Sequence, residues 1–215
     1  MSRRISHHTC HAILALLLTL TARLDAQQAR GPWVSAQNGI LTLQPVSATG
    51  TLGASDHGPS QEWRVGWRGD STLSAFVAVT RTTLPTSDPS FAGEARYREI
   101  AVGSRIQFPQ YRFGRLQPVL DLAVVQRSYR ADLSASGRTT FNATSMEMTG
   151  LGIAANAGVL VQVMRGVDLE GIVGATLGQF NRLTLSGTRQ EFDPVQAGVA
   201  RARIGLLLSP AAWWR

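Results

Sequence analysis

Ten charged residues sit within alternating, largely apolar segments, each on the more polar parity of its own segment: Glu62, Arg64, Arg68, Glu99, Arg105, Asp121, Glu170, Arg182, Arg201 and Arg203. In extended chain, residues two apart point to the same face, so groups spaced this way gather on one surface. Two chemistries follow. Fixed charges facing one another across a narrow path set ion selectivity, whereas charges confined without water pair and neutralise one another. Pairing is the favoured reading, because isolated confined charges are costly. The surplus of arginines over acids, six to four, leaves a narrow path with weak anion preference as the alternative.

Other reactive combinations are sparse. Asp56-His57-Gly58-Pro59-Ser60 holds a serine and a histidine of the kind a hydrolase pairs as nucleophile and base. Its Gly, Pro and polar composition is that of a turn, so catalysis is not expected. Gly150, Gly152 and Gly158 miss the G-x-G-x-x-G spacing, and a chain without lysine has no standard P-loop. Cys10 and three of the four histidines precede residue 27. The remainder therefore lacks the ligands for a disulfide or for a Cys or two-His metal site, and no cofactor is expected.

The elements that position these groups begin after a leader. Met1 to Ala26 carries Arg3 and Arg4, an apolar run from Ala12 to Leu20 and the small-residue exit Leu24-Asp25-Ala26, the layout of a cleaved signal peptide. Residues 27–215 then form one domain. This part bears 18 arginines against 13 acids, a basic balance that suits anionic lipid headgroups in an exported protein better than nucleic acid.

From Glu62 onward the hydrophobic period is two. Trp63, Val65 and Trp67 oppose Glu62, Arg64 and Arg68. Leu73, Ala75, Val77 and Val79 follow, then Ile100, Val102, Ile106 and Phe108 against Glu99, Arg105 and Gln107. Leu116 to Val124 alternates around Asp121, and Leu151 to Val163 and Val167 to Leu177 form a hairpin across Arg165-Gly166. The stretch "GVARARIGLLL" supplies the last strand and Asn38 to Ala48 a weaker first one, eight in all.

Connection lengths alternate. Longer polar segments at Thr49 to Ser60, Leu84 to Ala95, Ala131 to Ser145 and Ser186 to Pro194 are separated by short ones at Gly69-Asp70, Pro109 to Gly114 and Arg165-Gly166. Short turns at one end and long loops at the other describe an antiparallel up-and-down transmembrane barrel with extracellular loops. Trp33, Trp67, Phe108, Tyr111, Phe113, Trp213 and Trp214 fall near the short-turn end and Trp63, Tyr97 and Tyr129 near the loop end, as interfacial belts at the two rims would. A soluble lipocalin-like carrier of an apolar ligand would turn the same apolar face inward. The polar parity, rich in Gly, Ala, Thr, Asn and Gln, suits a crowded lumen better than a water-facing surface, which turns Arg201 and Arg203 inward and Ala202, Ile204 and Leu206 toward lipid.

The alternating segments "GLGIAANAGVLVQVMRGVDLEGIVGATLGQF" and "GVARARIGLLL" resemble the small eight-stranded outer-membrane β-barrel family typified by OmpA and OmpX, over roughly Asn38 to the C-terminus. The resemblance implies a closed all-β barrel in the outer membrane. It also implies partners limited to outer-membrane lipid, the barrel-assembly machinery during biogenesis and an extracellular ligand at the loops. The expectation is a monomeric, non-enzymatic barrel with a structural or loop-mediated binding role and a lumen plugged by Arg/acid pairs.

Overall fold

The computed structural model describes residues 30–45, 56–86 and 88–210; the leader and Trp213-Trp214 lie outside them. Nine strands are present among these residues: β1 (Gly31–Pro45), β2 (Asp56–Arg68), β3 (Leu73–Pro85), β4 (Phe91–Gln107), β5 (Leu116–Leu133), β6 (Ser145–Met164), β7 (Val167–Leu185), the three-residue β8 (Thr188–Gln190) and β9 (Val195–Leu208). Each pairs antiparallel with its neighbours, and β1 pairs with both β2 and β9 while β9 pairs with β7. The eight long strands thus close into a barrel in the up-and-down order read from the sequence. Closure pairs the backbone groups of both would-be edges.

The short connections gather at one end. Asp70 organises the β2–β3 turn: its Oδ1 accepts from the backbone N–H of Thr72 at 2.7 Å and of Leu73 at 2.6 Å. These two donors hold the Asp70 carboxyl below its ordinary range. A 3-10 turn at Pro109–Tyr111 joins β4 to β5, and Gly166, at φ +75°, closes the β6–β7 hairpin.

The opposite end is more structured than the polar composition of its segments suggests. Asp56 to Ser60 belongs to β2, and β1 starts at Gly31, ahead of the expected Asn38. The segment Ala131 to Ser145 contains helix α1 (Ala135–Phe141), and Ser186 to Pro194 contains β8. Ser134 caps α1 by accepting from the N–H of Gly137, and its hydroxyl donates to the carbonyl of Pro89 at 2.6 Å. A side chain on Gly137 would collide with the Ser90 carbonyl, so the glycine lets α1 lie against the β3–β4 connection. The N–H of Thr144 donates to Ser186 Oγ at 2.8 Å, tying the next pair of connections together.

The outer wall carries an apolar belt. Val34, Val65, Val77, Val102, Val124, Ile153 and Leu177 are successive register partners around the barrel and are all outward and exposed. Trp63, Trp67, Tyr111 and Phe113 are exposed with them. Trp33, Tyr97 and Tyr129, expected at the rims, are instead buried inside. Their positions share the parity of the inward residues on β1, β4 and β5, and their strands begin earlier or run further than the clearest alternation indicates.

Toward the loop end the sidedness reverses. Leu41, Leu43, Leu84, Phe91, Tyr97, Tyr129, Leu133, Met146, Met148 and Phe180 fill the interior there as one apolar cluster. Outside them stand polar residues such as Arg96, Arg130 and Thr83. The lumen is therefore not polar throughout, as its parity in the middle of the strands suggests. Strands of 17 to 20 residues for β4 to β7 exceed the roughly 9–11 that cross a bilayer, and the excess packs like a soluble protein.

Replacing Val102 with arginine in the centre of the apolar belt is expected to cost about 2–4 kcal/mol in lipid, whereas His57→Arg toward the loop end of β2 costs about 0–1 kcal/mol. Urea unfolding in vesicles measures both, and equal tolerance at the two positions would turn the belt away from hydrocarbon.

Candidate functional site in the barrel lumen

Inward positions on β2, β4, β5, β7 and β9 bring charge to the centre of the barrel. Arg105 of β4 grips Asp121 of β5 with both ends of its guanidinium, Nε to Oδ1 at 2.7 Å and Nη2 to Oδ2 at 3.0 Å, and also donates to Glu170 of β7. Arg64 of β2 reaches Asp121 Oδ2 from the other side at 2.5 Å and donates to Glu62. Arg203 of β9 donates to the other oxygen of Glu62. The result is a continuous chain, Arg203, Glu62, Arg64, Asp121, Arg105, Glu170, in which three cations and three acids alternate.

Neutral groups complete it. Thr80 Oγ1 donates to Glu62 at 2.5 Å, while Ser35 Oγ and Gln37 Nε2 donate to Glu170 at 2.8 and 2.6 Å. Guanidinium faces are used as well: Arg64 stacks over Phe76 and Arg105 over Trp33, each 5.1 Å from ring centroid to guanidinium carbon. Gly66 makes room for Trp33, since a Cβ there would lie 2.3 Å from the indole. Arg105, Asp121 and Glu170 are all 0 % exposed. Arg–carboxylate forks are among the strongest protein hydrogen bonds, and they offset a large desolvation cost.

A second cluster lies nearer the apolar end. Arg201 Nη1 is 2.7 Å from Glu99 Oε2, and Tyr97 donates to Glu99 Oε1 at 2.5 Å. Arg127 of β5 donates to the Ala197 carbonyl at 2.8 Å and stacks on Phe180 at 4.5 Å. Arg68 is buried at the turn end of β2, with Asp168 of β7 as its opposing charge.

Arg182 does not join these groups. A β-bulge places Asn181 between the pairs Gly150↔Phe180 and Thr149↔Arg182, so β7 changes parity there. Phe180 points inward, Leu183 and Leu185 pack on the interior cluster, and Arg182 is exposed outside. The charge set read from the sequence also lacked Arg127, Asp168, Ser35, Gln37 and the three stacking rings. Arg127 lies on the parity of Asp121, three same-face positions further along β5, a signal available once the strand is extended past Val124. Ser35 and Gln37 fall before the expected start of β1.

His57 and Ser60, three apart in β2, face opposite sides of the wall: the imidazole is exposed outside and the hydroxyl buried inside. That geometry cannot transfer a proton between them. Among the described residues no group of three or more His, Cys, Asp or Glu is arranged to hold a metal ion.

No family model matches the chain, and no curated protein does. Solved structures do. Neisserial surface protein A (NspA) superposes with a TM-score of 0.56 at 19% identity, over 84% of this chain and 97% of that one. The outer membrane protein OprG from Pseudomonas aeruginosa does so with a TM-score of 0.55 at 14% identity, over 86% and 98%. The fold is that of the small eight-stranded outer-membrane barrels which the sequence resembles.

Asp121 bonds two arginines at once, so Asp121→Ala leaves both under-neutralised and is expected to cost about 3–5 kcal/mol. Urea unfolding in detergent micelles, read as loss of the heat-modifiable gel band, measures it; a change under about 1 kcal/mol would mean that the chain of charges contributes little to the fold.

Proposed function

We propose that the protein is an integral outer-membrane barrel with a closed lumen, which acts through its extracellular end as a structural element or a binding surface. The observation that carries this reading is the charge chain from Arg203 to Glu170: it draws on β9, β2, β5, β4 and β7 and spans the interior between walls three strands apart. An eight-stranded barrel is just wide enough for its own side chains, and these residues fill it.

Membrane residence is supported by the exposed apolar belt and by the fold shared with NspA and OprG, named a surface protein and an outer membrane protein. A soluble carrier would need an apolar cavity at mid-barrel, where Arg64, Arg105 and Asp121 lie. The loop end supports a binding role in a specific way. Among the described residues, three of its connections, β3–β4, β5–β6 and β7–β9, are bonded to one another through Ser134, Ser90, Thr144 and Ser186 and rest on a packed core, so they present an ordered surface. Ordered surfaces lose less entropy on binding.

The test is planar-bilayer recording. The native chain is expected to give no steady conductance steps, and Arg64→Ser/Arg105→Ser, which removes two of the three central cations, is expected to give measurable ones. Steady steps from the native chain would replace the plug by a narrow pore, and an anion preference would then point to the arginine surplus.

A further inference from the structure

On the outer wall, where β3, β4 and β5 leave the apolar belt, arginines face one another directly. Arg81 of β3 is the register partner of Arg98 of β4, and Arg96 of β4 is the partner of Arg130 of β5. All four are exposed on the outside. Like charges directly opposite on neighbouring strands are destabilising, and two such pairs side by side need an anion.

The protein supplies little of it. Glu147 of β6 stands opposite Arg130, but the Arg81/Arg98 pair is flanked by Gln61 and Ser128. Glu94 and Asp132, the other outward acids of β4 and β5, lie further toward the loops. Among the described residues, none of the four arginines makes an ion pair. Between the stems of Arg81, Arg96 and Arg98 lies a groove of about 510 Å³, lined also by Pro59, Gln61 and Thr83, with Arg130 beside it on β5.

The height of the cluster selects its ligand. Arg98 lies four residues beyond Val102 on β4, about 13 Å along the strand, and Arg81 lies four beyond Val77 on β3. Trp63, exposed on β2, is the next residue after Gln61 on the same face, on the side of the belt. Aromatic residues mark the level of lipid headgroups, and arginine forks match phosphate oxygens in bidentate fashion.

We infer that Arg81, Arg96, Arg98 and Arg130 form a lipid site on the outer wall, which holds the phosphate groups of phosphorylated lipid packed against the loop end of the barrel. The inference rests on the membrane reading above. Lipid phosphates neutralise the facing guanidiniums, and the acyl chains below them cover Val77, Val79, Ile100 and Val102.

The test uses the full chain, purified in detergent and titrated with bisphosphorylated lipid A, with the same lipid stripped of phosphate, and with inorganic phosphate, bound species being counted by native mass spectrometry. The phosphorylated lipid is expected to bind preferentially, and Arg81→Gln/Arg98→Gln to weaken it about tenfold or more. Arg81→Lys/Arg98→Lys, which keeps the charge but loses the fork, falls between, and Arg115→Gln at the opposite rim binds as the native chain does. Heat-modifiable migration of each variant establishes that its barrel is formed. Equal binding of the phosphate-free lipid, or native-like binding by the double glutamine variant, would overturn the site. Occupancy by inorganic phosphate as tight as by the lipid would overturn its assignment to lipid. A native chain soluble without detergent would sink the membrane reading itself, before any lipid is added.

Discussion

Closure of the backbone ladder is the constraint on which everything else depends. β1 hydrogen-bonds to β2 on one side and β9 on the other, and once that seam is made the sheet has no long free edge. A closed sheet of eight strands also has an interior of fixed, small width. Whatever the inward parity carries must then be satisfied by other inward side chains. That is why Asp121 accepts from arginines on two different strands, and why Glu170 collects a guanidinium, a hydroxyl and an amide. At mid-barrel the lumen behaves as a small polar core.

The second consequence comes from strand length. A strand that outlasts the hydrocarbon must exchange its inside and outside chemistry, and the barrel does so in two ways. On β5 the residue types themselves swap: Leu122 and Val124 give way outside to Gln126, Ser128 and Arg130, while Asp121 gives way inside to Val125, Tyr129 and Leu133. On β7 the leucines stay on odd positions from Leu169 to Leu185, and the bulge at Asn181 turns the strand over, so that Leu177 faces out and Leu183 faces in. One added residue thus converts a lipid-facing pattern into a core-facing one.

These two routes explain what could be read from the sequence. Where alternation is continuous, as in Glu62 to Arg68, Glu99 to Gln107 and Leu151 to Val161, a period of two fixes the face of every residue, and the central charges were legible by type and parity. Arg182 was not, because a bulge leaves no mark in composition and reverses parity beyond it. The first strand was misplaced because β1 mixes sides: Trp33, Leu41 and Leu43 point in while Asn38 points out, so its alternation reads as weak. The apolar plug at the loop end was hidden for a related reason. Its members, such as Leu84, Phe91, Phe141 and Phe180, come from segments that read as polar connections or lie beyond the clearest alternation, and only the pairing of long strands assembles them.

A single cation type serves two environments in this chain, which has arginine and no lysine. In the lumen, the planar guanidinium bridges two carboxylates at once while its faces stack on Trp33, Phe76 and Phe180. An ammonium is a compact, strongly hydrated point charge and can do neither without giving up more hydration. It also loses its proton more readily when buried, which would leave Asp121 or Glu170 unmatched at the centre of the barrel. Outside, the same fork geometry suits a phosphate at the edge of the belt. The arginine content can reflect the composition of the genome as a whole, but its distribution cannot. Arg64, Arg105 and Arg203 stand where acids meet them, and Arg81 and Arg98 stand where the chain provides none, so the charge missing on the outer wall has to come from what surrounds it.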